Sequence, residues 1–271
     1  MKIVEPKVFH IAQTNLIEVG ANDFLQHHKV PDWETDAKTG AECLIEIAGR
    51  RCYQSWETPT KKAEESNPNL TKVRVGNQTY ISNILKTKHG SVLEHAHDTF
   101  AIEGVSRVFT HEVVRHRLCN FSQESLRFVR PTQLYAYFPD AFAELPEPQH
   151  KAVAEIFAMT FTDLEAVQKD LVAALGDELV GKTFGRKKKL QSSMRRLMPI
   201  GMSTGIIMTT NHRNWRHLIT MRTHPSAEEE IREVFGMIAD ILYRAYPALY
   251  QDMKRKYENG CDECWFESER V

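Results

Sequence analysis

From Thr99 to Arg117 the chain reads TFAIEGVSRVFTHEVVRHR, and this stretch restricts the fold more than any other. Thr99–Val105 carries β-forming residues in partial alternation, the pattern of a half-buried strand. From Ser106 the spacing changes: Val108/Phe109, Val113 and His116 recur at helical intervals, which predicts a helix from Ser106 to Arg117. The segment ends on Arg115-His116-Arg117, three cationic or titratable side chains directly after an apolar run. Charge beside apolar surface costs free energy unless it is paired or meets a ligand. The stretch therefore predicts a strand feeding a helix that ends in an anion site.

Strand and helix signals alternate along the rest of the chain. Helices are expected at 41–53, 77–88 and 211–222, with a long amphipathic one carrying Val153, Ile156/Phe157, Phe161, Leu164, Val167 and Leu171 on one face. Another opens at Arg186-Lys187-Lys188-Lys189 and runs toward Met198-Pro199. The last is expected to start at Pro225-Ser226, where Ser226 and Glu229 have the spacing of a capping box. Gly201–Thr210 is apolar enough for a buried strand, and a further strand is expected from Gln123 to Val129, closed by Pro131. Residues 55–75 are polar and contain two prolines, as an exposed excursion would. Together these predict a single α+β domain spanning 1–271, with helices packed on a largely antiparallel sheet and 250–271 as a C-terminal tail.

Composition narrows the function. At 271 residues the chain can bury a substantial core, and its net charge of −1 gives no global field to attract nucleic acid or a membrane. Any anion must be held by local clusters. No run of about 18 apolar residues suggests a membrane span, and no signal peptide opens the chain. Five scattered cysteines suit free thiols in a reducing cytoplasm.

Four features invite a chemical reading. His111-Glu112-Val113-Val114-Arg115 resembles a zinc-protease helix, but Arg115 stands where the second His is required and cannot ligate a metal, so no metal site is expected. Cys261-Asp262-Glu263-Cys264 lacks the second pair of a structural zinc site. The Arg186–Lys189 run reads as a solvated helix end, its functional alternative being contact with the polyanionic tail of a ligand; no aromatics interleave with it as an RNA surface would need. Trp215, Leu218, Ile219 and Arg222 share a helical stripe, which leaves Arg222 either a buried, carboxylate-paired arginine or a planar fork aimed at a ligand.

Taken together these pieces resemble the flavin-dependent thymidylate synthases. The hallmark of that family is Arg-His-Arg, seven residues, then Ser, here Arg115-His116-Arg117 followed by Ser125. Glu94-His95, Ser106-Arg107, Arg195 before Pro199, Asn211-x-Arg213, Arg222 and Glu230-Ile231-Arg232 follow in the family's order, and the resemblance spans 41–245. It implies conversion of dUMP to dTMP, with methylenetetrahydrofolate as carbon donor, FAD reduced by NADPH, no cysteine nucleophile, and a homotetramer with shared flavin sites. Carried over, Cys52, His95, Arg115, His116, Arg117, Gln123, Asn211, Arg213 and His217 would contact the flavin. Glu112, Arg115, Gln123, Glu124, Ser125, Leu126, Arg127, Arg195 and Arg222 would lie along dUMP, with Arg127 and Arg195 at its phosphate. Arg222 would stabilise the uracil anion and activate C5. Cys52, Glu112, His217 and Glu228 depart from the commonest residues at their positions. Two rival readings are a hydroxymethyl-transferring relative and a non-catalytic flavin or nucleotide binder.

Overall fold

Alternating burial along two strand-like runs gives the sheet its centre. In the computed structural model, which describes residues 2–129, 133–258 and 260–268, these are β3 (His97–Ser106) and β6 (Ser203–Asn211). Before β3 come β1 (Lys2–Ile3), β2 (Lys7–Gln13), α1 (Glu18–His27), α2 (Gly40–Tyr53) and α3 (Asn77–Lys86). Between β3 and β6 lie α4 (Arg107–Val113), β4 (Asn120–Gln123), β5 (Tyr135–Ala136), α5 (Asp140–Ala143), α6 (Glu147–Leu175) and α7 (Phe184–Met194). After β6 follow α8 (His212–Arg222), α9 (Glu229–Ala245), β7 (Met253–Glu258) and β8 (Cys261–Phe266). The main sheet has strand order β2-β3-β6-β4, and the mixed, largely antiparallel α+β architecture is the expected one.

The chain forms two compact units, Met1–Phe9 with Ala101–Met208 and His10–Phe100 with Thr209–Val271. In the first, α6 lays Phe157, Phe161 and Leu164 against Leu134, Ala136 and Met202. In the second, α8 and α9 bury Trp215, Leu218, Ile219, Val234, Phe235 and Ile238 completely. Phe100 meets Trp215 edge to face, with centroids 5.1 Å apart. Leu25, Val30, Trp33 and Trp56 make a further cluster.

One buried polar centre fixes α8 within the second unit. Asp98 on β3 is fully buried, and His10 Nε2 lies 2.7 Å from one of its oxygens while His212 Nε2 lies 2.9 Å from the other. The Tyr246 hydroxyl donates to Asp98 as well. Burial alone would push this carboxyl up; His212, Tyr246 and His10 outweigh it and hold the group below the usual carboxylate range.

Several expected boundaries shift. The helix after β3 stops at Val113, so Arg115-His116-Arg117 sits in turns beyond it. The strand expected at 123–129 ends at Gln123, because the chain then turns on Ser125, whose carbonyl accepts from both Phe128 N–H (3.0 Å) and Val129 N–H (2.9 Å). Pro131 lies outside the described residues. Ser226 does not cap α9: its hydroxyl bonds to His224 Nδ1 at 2.8 Å, and Glu228 caps the helix by accepting from Ile231 N–H at 3.1 Å. The 55–75 segment is anchored: Trp56 and Ala63 are buried, and Arg50 donates to the carbonyls of Ser55 and Arg74.

Candidate active site

The strand-to-helix corner after β3 builds a cleft in the first unit. Ser106 caps α4, its hydroxyl accepting from Phe109 N–H at 3.1 Å. That places Arg107 at the first helical position, facing a cleft of about 570 Å³ also lined by Gln123, Glu124, Ser125, Leu126 and Arg195. Gln123 is held by a 2.9 Å bond from its amide to Thr110, and Glu124 by its N–H to the Gly205 carbonyl at 3.1 Å. The Ser125 hydroxyl accepts from Arg127 N–H. It has no described His–carboxylate partner to activate it as a nucleophile.

Arg107 is the informative side chain. Its Nη2 donates to the Glu124 carbonyl at 3.1 Å, while its buried Nε has no partner among the described residues. Burial pulls its pKa down, Glu124 counters this, and the positive charge of Arg195 adds to the lowering. Two guanidinium groups thus share one cleft at a cost that a bound dianion would relieve. The expected site residues did not include Arg107; its signal was Ser106-Arg107 directly after a strand.

The cleft gathers Gln123, Glu124, Ser125, Leu126 and Arg195 from the expected nucleotide residues. Among the described residues its walls do not include Glu112, Arg115 or Arg127. Arg115 and Arg117 are exposed and His116 half-buried, so this motif is a surface loop of cations and not charge trapped against a core.

The second unit carries the other expected residues. Asn211 ends β6 and caps α8, its side-chain oxygen accepting from Asn214 N–H at 2.9 Å, which leaves its amide nitrogen to donate elsewhere. Arg213 and His217 follow four residues apart, on the side of α8 opposite the buried Trp215 and Leu218. Arg213 pairs with Glu94, next to the exposed His95, on the short 3₁₀ turn Gly90–His95 that packs against both α8 and α2. Exposed Cys52 lies in the last turn of α2. Arg222 is half-buried at the end of α8, where the helix dipole favours a cation.

Each unit by itself offers groups of the kind a flavin dinucleotide needs. In the first unit the side chains of Arg115 and Arg117 have no hydrogen-bond or ion-pair partner among the described residues; in the second, the Asn211 amide nitrogen and the exposed His217 are polar groups open to a ligand. Such groups suit a pyrophosphate and the polar edge of a ring system. Among the described residues no group of three or more His, Cys, Asp or Glu is placed to hold a metal ion. The cysteines are free thiols; burial pushes Cys43 up to about 11 and raises Cys264, the wrong direction for a nucleophile.

The family described as thymidylate synthase complementing protein matches residues 35–248. A flavin-dependent thymidylate synthase of Mycobacterium avium is 36% identical over 250 residues, covering 90% of this chain and 91% of its own. One from Corynebacterium efficiens is 34% identical over 224 residues, with 82% and 83% covered. Among solved structures, the UMP/dUMP methylase PolB of Streptomyces cacaoi bound with 5-Br UMP superposes with a TM-score of 0.63 at 15% identity, covering 93% of this chain and 95% of that one.

Proposed function

The chain belongs to the thymidylate synthase complementing proteins, the flavin-dependent thymidylate synthases, and on that premise we propose that it methylates dUMP to dTMP reductively. The observation that carries the substrate assignment is the cleft in which Arg107, with a buried unpartnered Nε, and Arg195 stand together beside Ser125. A nucleotide phosphate is the dianion this pair lacks, and guanidinium forks bind its oxygens bidentately. Gln123, Glu124 and Leu126 would then lie along the nucleoside, with Glu112, Arg115 and Arg127 joining them.

FAD, reduced by NADPH, supplies the reducing equivalents when bound, and methylenetetrahydrofolate supplies the carbon. Arg115, His116, Arg117, Asn211, Arg213 and His217 would hold the flavin, with His95 and Cys52 at its margin. Arg222 acts on the uracil itself. A fixed guanidinium beside the carbonyl stabilises the negative charge left when N3 loses its proton, and that charge raises the nucleophilicity of C5. The raised thiol pKa values of Cys43 and Cys264 support a reaction without a cysteine nucleophile.

The proposal includes a homotetramer, supported by the exposure of Ile156 (60%) and Met159 (61%) on α6, where apolar area lies open to a second copy. It also includes a cytoplasmic location, supported by five free thiols; among the described residues no helix is long and apolar enough to cross a membrane. The product decides the reaction. Turnover with dUMP should give a nucleotide heavier by one methylene unit, and a mass gain matching hydroxymethyl would overturn the assignment.

A further inference from the structure

Resting on the reading just given, in which the carbon donor is a folate, we propose that Phe128, Phe184 and the lysines of α7 bind the donor's γ-linked glutamate chain. Phe128 and Phe184 stack nearly parallel, with centroids 6.1 Å apart and planes 18° from each other. Both rings are open to solvent, at 52% and 70% exposure. Lys188 Nζ lies 4.4 Å from the centre of the Phe128 ring. Glu178 neutralises Arg186 at 2.9 Å and also pairs with Lys182, while Lys187 and Lys189 have no ion-pair partner among the described residues. The first turn of α7 carries no acidic residue to offset these lysines.

This combination suits one kind of ligand, an aromatic ring followed by a flexible string of carboxylates. A folate presents a benzoyl ring and then its glutamates, each added unit bringing one more carboxylate. The exposed rings would take the benzoyl group, and the lysines, as mobile point charges, suit carboxylates on a flexible chain. The placement agrees: the turn bearing Phe128 begins at Ser125, which lines the nucleotide cleft, so the patch borders the place where the acceptor is held. Phe184 stands two residues before Arg186, and the fold brings Phe128 beside it. Two rings and three lysines on a chain of net charge −1 make no extended track for a nucleic-acid backbone.

Steady-state kinetics with mono- and pentaglutamyl methylenetetrahydrofolate test the site. The wild-type KM should be about tenfold lower for the pentaglutamate, the order expected of a few exposed ion pairs. This preference should vanish at about 1 M salt, where the Debye length is about 3 Å. It should also vanish in Lys187→Ala/Lys188→Ala/Lys189→Ala with the KM values for dUMP and monoglutamate unchanged, whereas Phe184→Ala should raise KM for both donors, which share the benzoyl ring, and leave that for dUMP unchanged. Equal wild-type KM values for the two donors, or a preference that survives the triple substitution, would overturn the proposal. So would a single-stranded oligonucleotide that binds the patch more tightly than the pentaglutamate. If neither donor supports turnover, the enzymatic reading has failed. Equilibrium binding of pteroylpentaglutamate to the wild type and the triple variant then decides the site by itself: tighter binding to the wild type supports it, and equal binding overturns it.

Discussion

Replacing Arg107 with Met would keep most of the buried stem and remove the cation. In the protein without nucleotide this deletes one hydrogen bond from a charged donor, the 3.1 Å contact to the Glu124 carbonyl, worth about 1.5–3 kcal/mol. It also removes a buried Nε with no partner, a desolvation cost of about 1–3 kcal/mol, and separates two like charges. These terms oppose each other, so the melting temperature without ligand should stay level or rise slightly. Binding should suffer. A hydrogen bond to a charged group contributes about 1.5–3 kcal/mol, which is roughly a 10- to 150-fold rise in KM for dUMP at 1.4 kcal/mol per decade. Initial rates of dTMP formation against dUMP concentration measure this, with deoxyuridine as the control: lacking the phosphate, it should bind the variant and the wild type alike. A KM within twofold of wild type would refute the role assigned to Arg107. A loss of 3 kcal/mol or more in urea melts, beyond the sum of the terms above, would show that Arg107 is structural.

Three further expectations follow from the same geometry. Arg222→Ala should abolish dTMP formation while the purified protein still binds flavin; normal turnover would remove its role at the uracil. Asn211→Asp should keep the α8 cap, since both side chains accept equally well there, but lose the amide donor, so flavin binding weakens while the melting temperature holds, as flavin titration and thermal melts would show. Asp98→Ala should cost about 3–5 kcal/mol in urea melts, because it strands buried partners of the carboxylate. The sign of the pH dependence follows from Asp98's depressed folded pKa: its contribution is complete above the unfolded value of about 3.9 and is lost as pH falls through the folded value. Wild-type stability should therefore drop below about pH 3.9 more steeply than that of the variant.

Much of the scaffold was legible because periodicity survives packing. β3, β6, α8 and the body of α9 follow their apolar spacing, and Trp215, Leu218 and Ile219 are the buried stripe they were read to be. The failures have local causes. No Gly or Pro marks the stop of α4 at Val113, so the helical spacing of His116 pointed past the true end. The segment Gln123–Val129 alternates like a strand, but the Ser125 carbonyl captures two later N–H groups and turns the chain. Ser226 had the right spacing for a cap, yet His224, two residues away, engages its hydroxyl first. The cationic loop 115–117 was found by residue type, whereas Arg107 could be singled out only once burial was known. The two aromatic rings beside the α7 lysines come from segments more than fifty residues apart, a juxtaposition that spacing does not encode.

In the proposed reaction, flavin reduction, the folate carbon and dUMP meet in one turnover. The most direct measurement is the absorption spectrum of the purified protein, loaded with FAD and reduced anaerobically by NADPH. The oxidised flavin bands should return only when dUMP and methylenetetrahydrofolate are both present, with dTMP formed in step. Reoxidation without dUMP, or a protein that takes up no flavin at all, would contradict the proposed reaction.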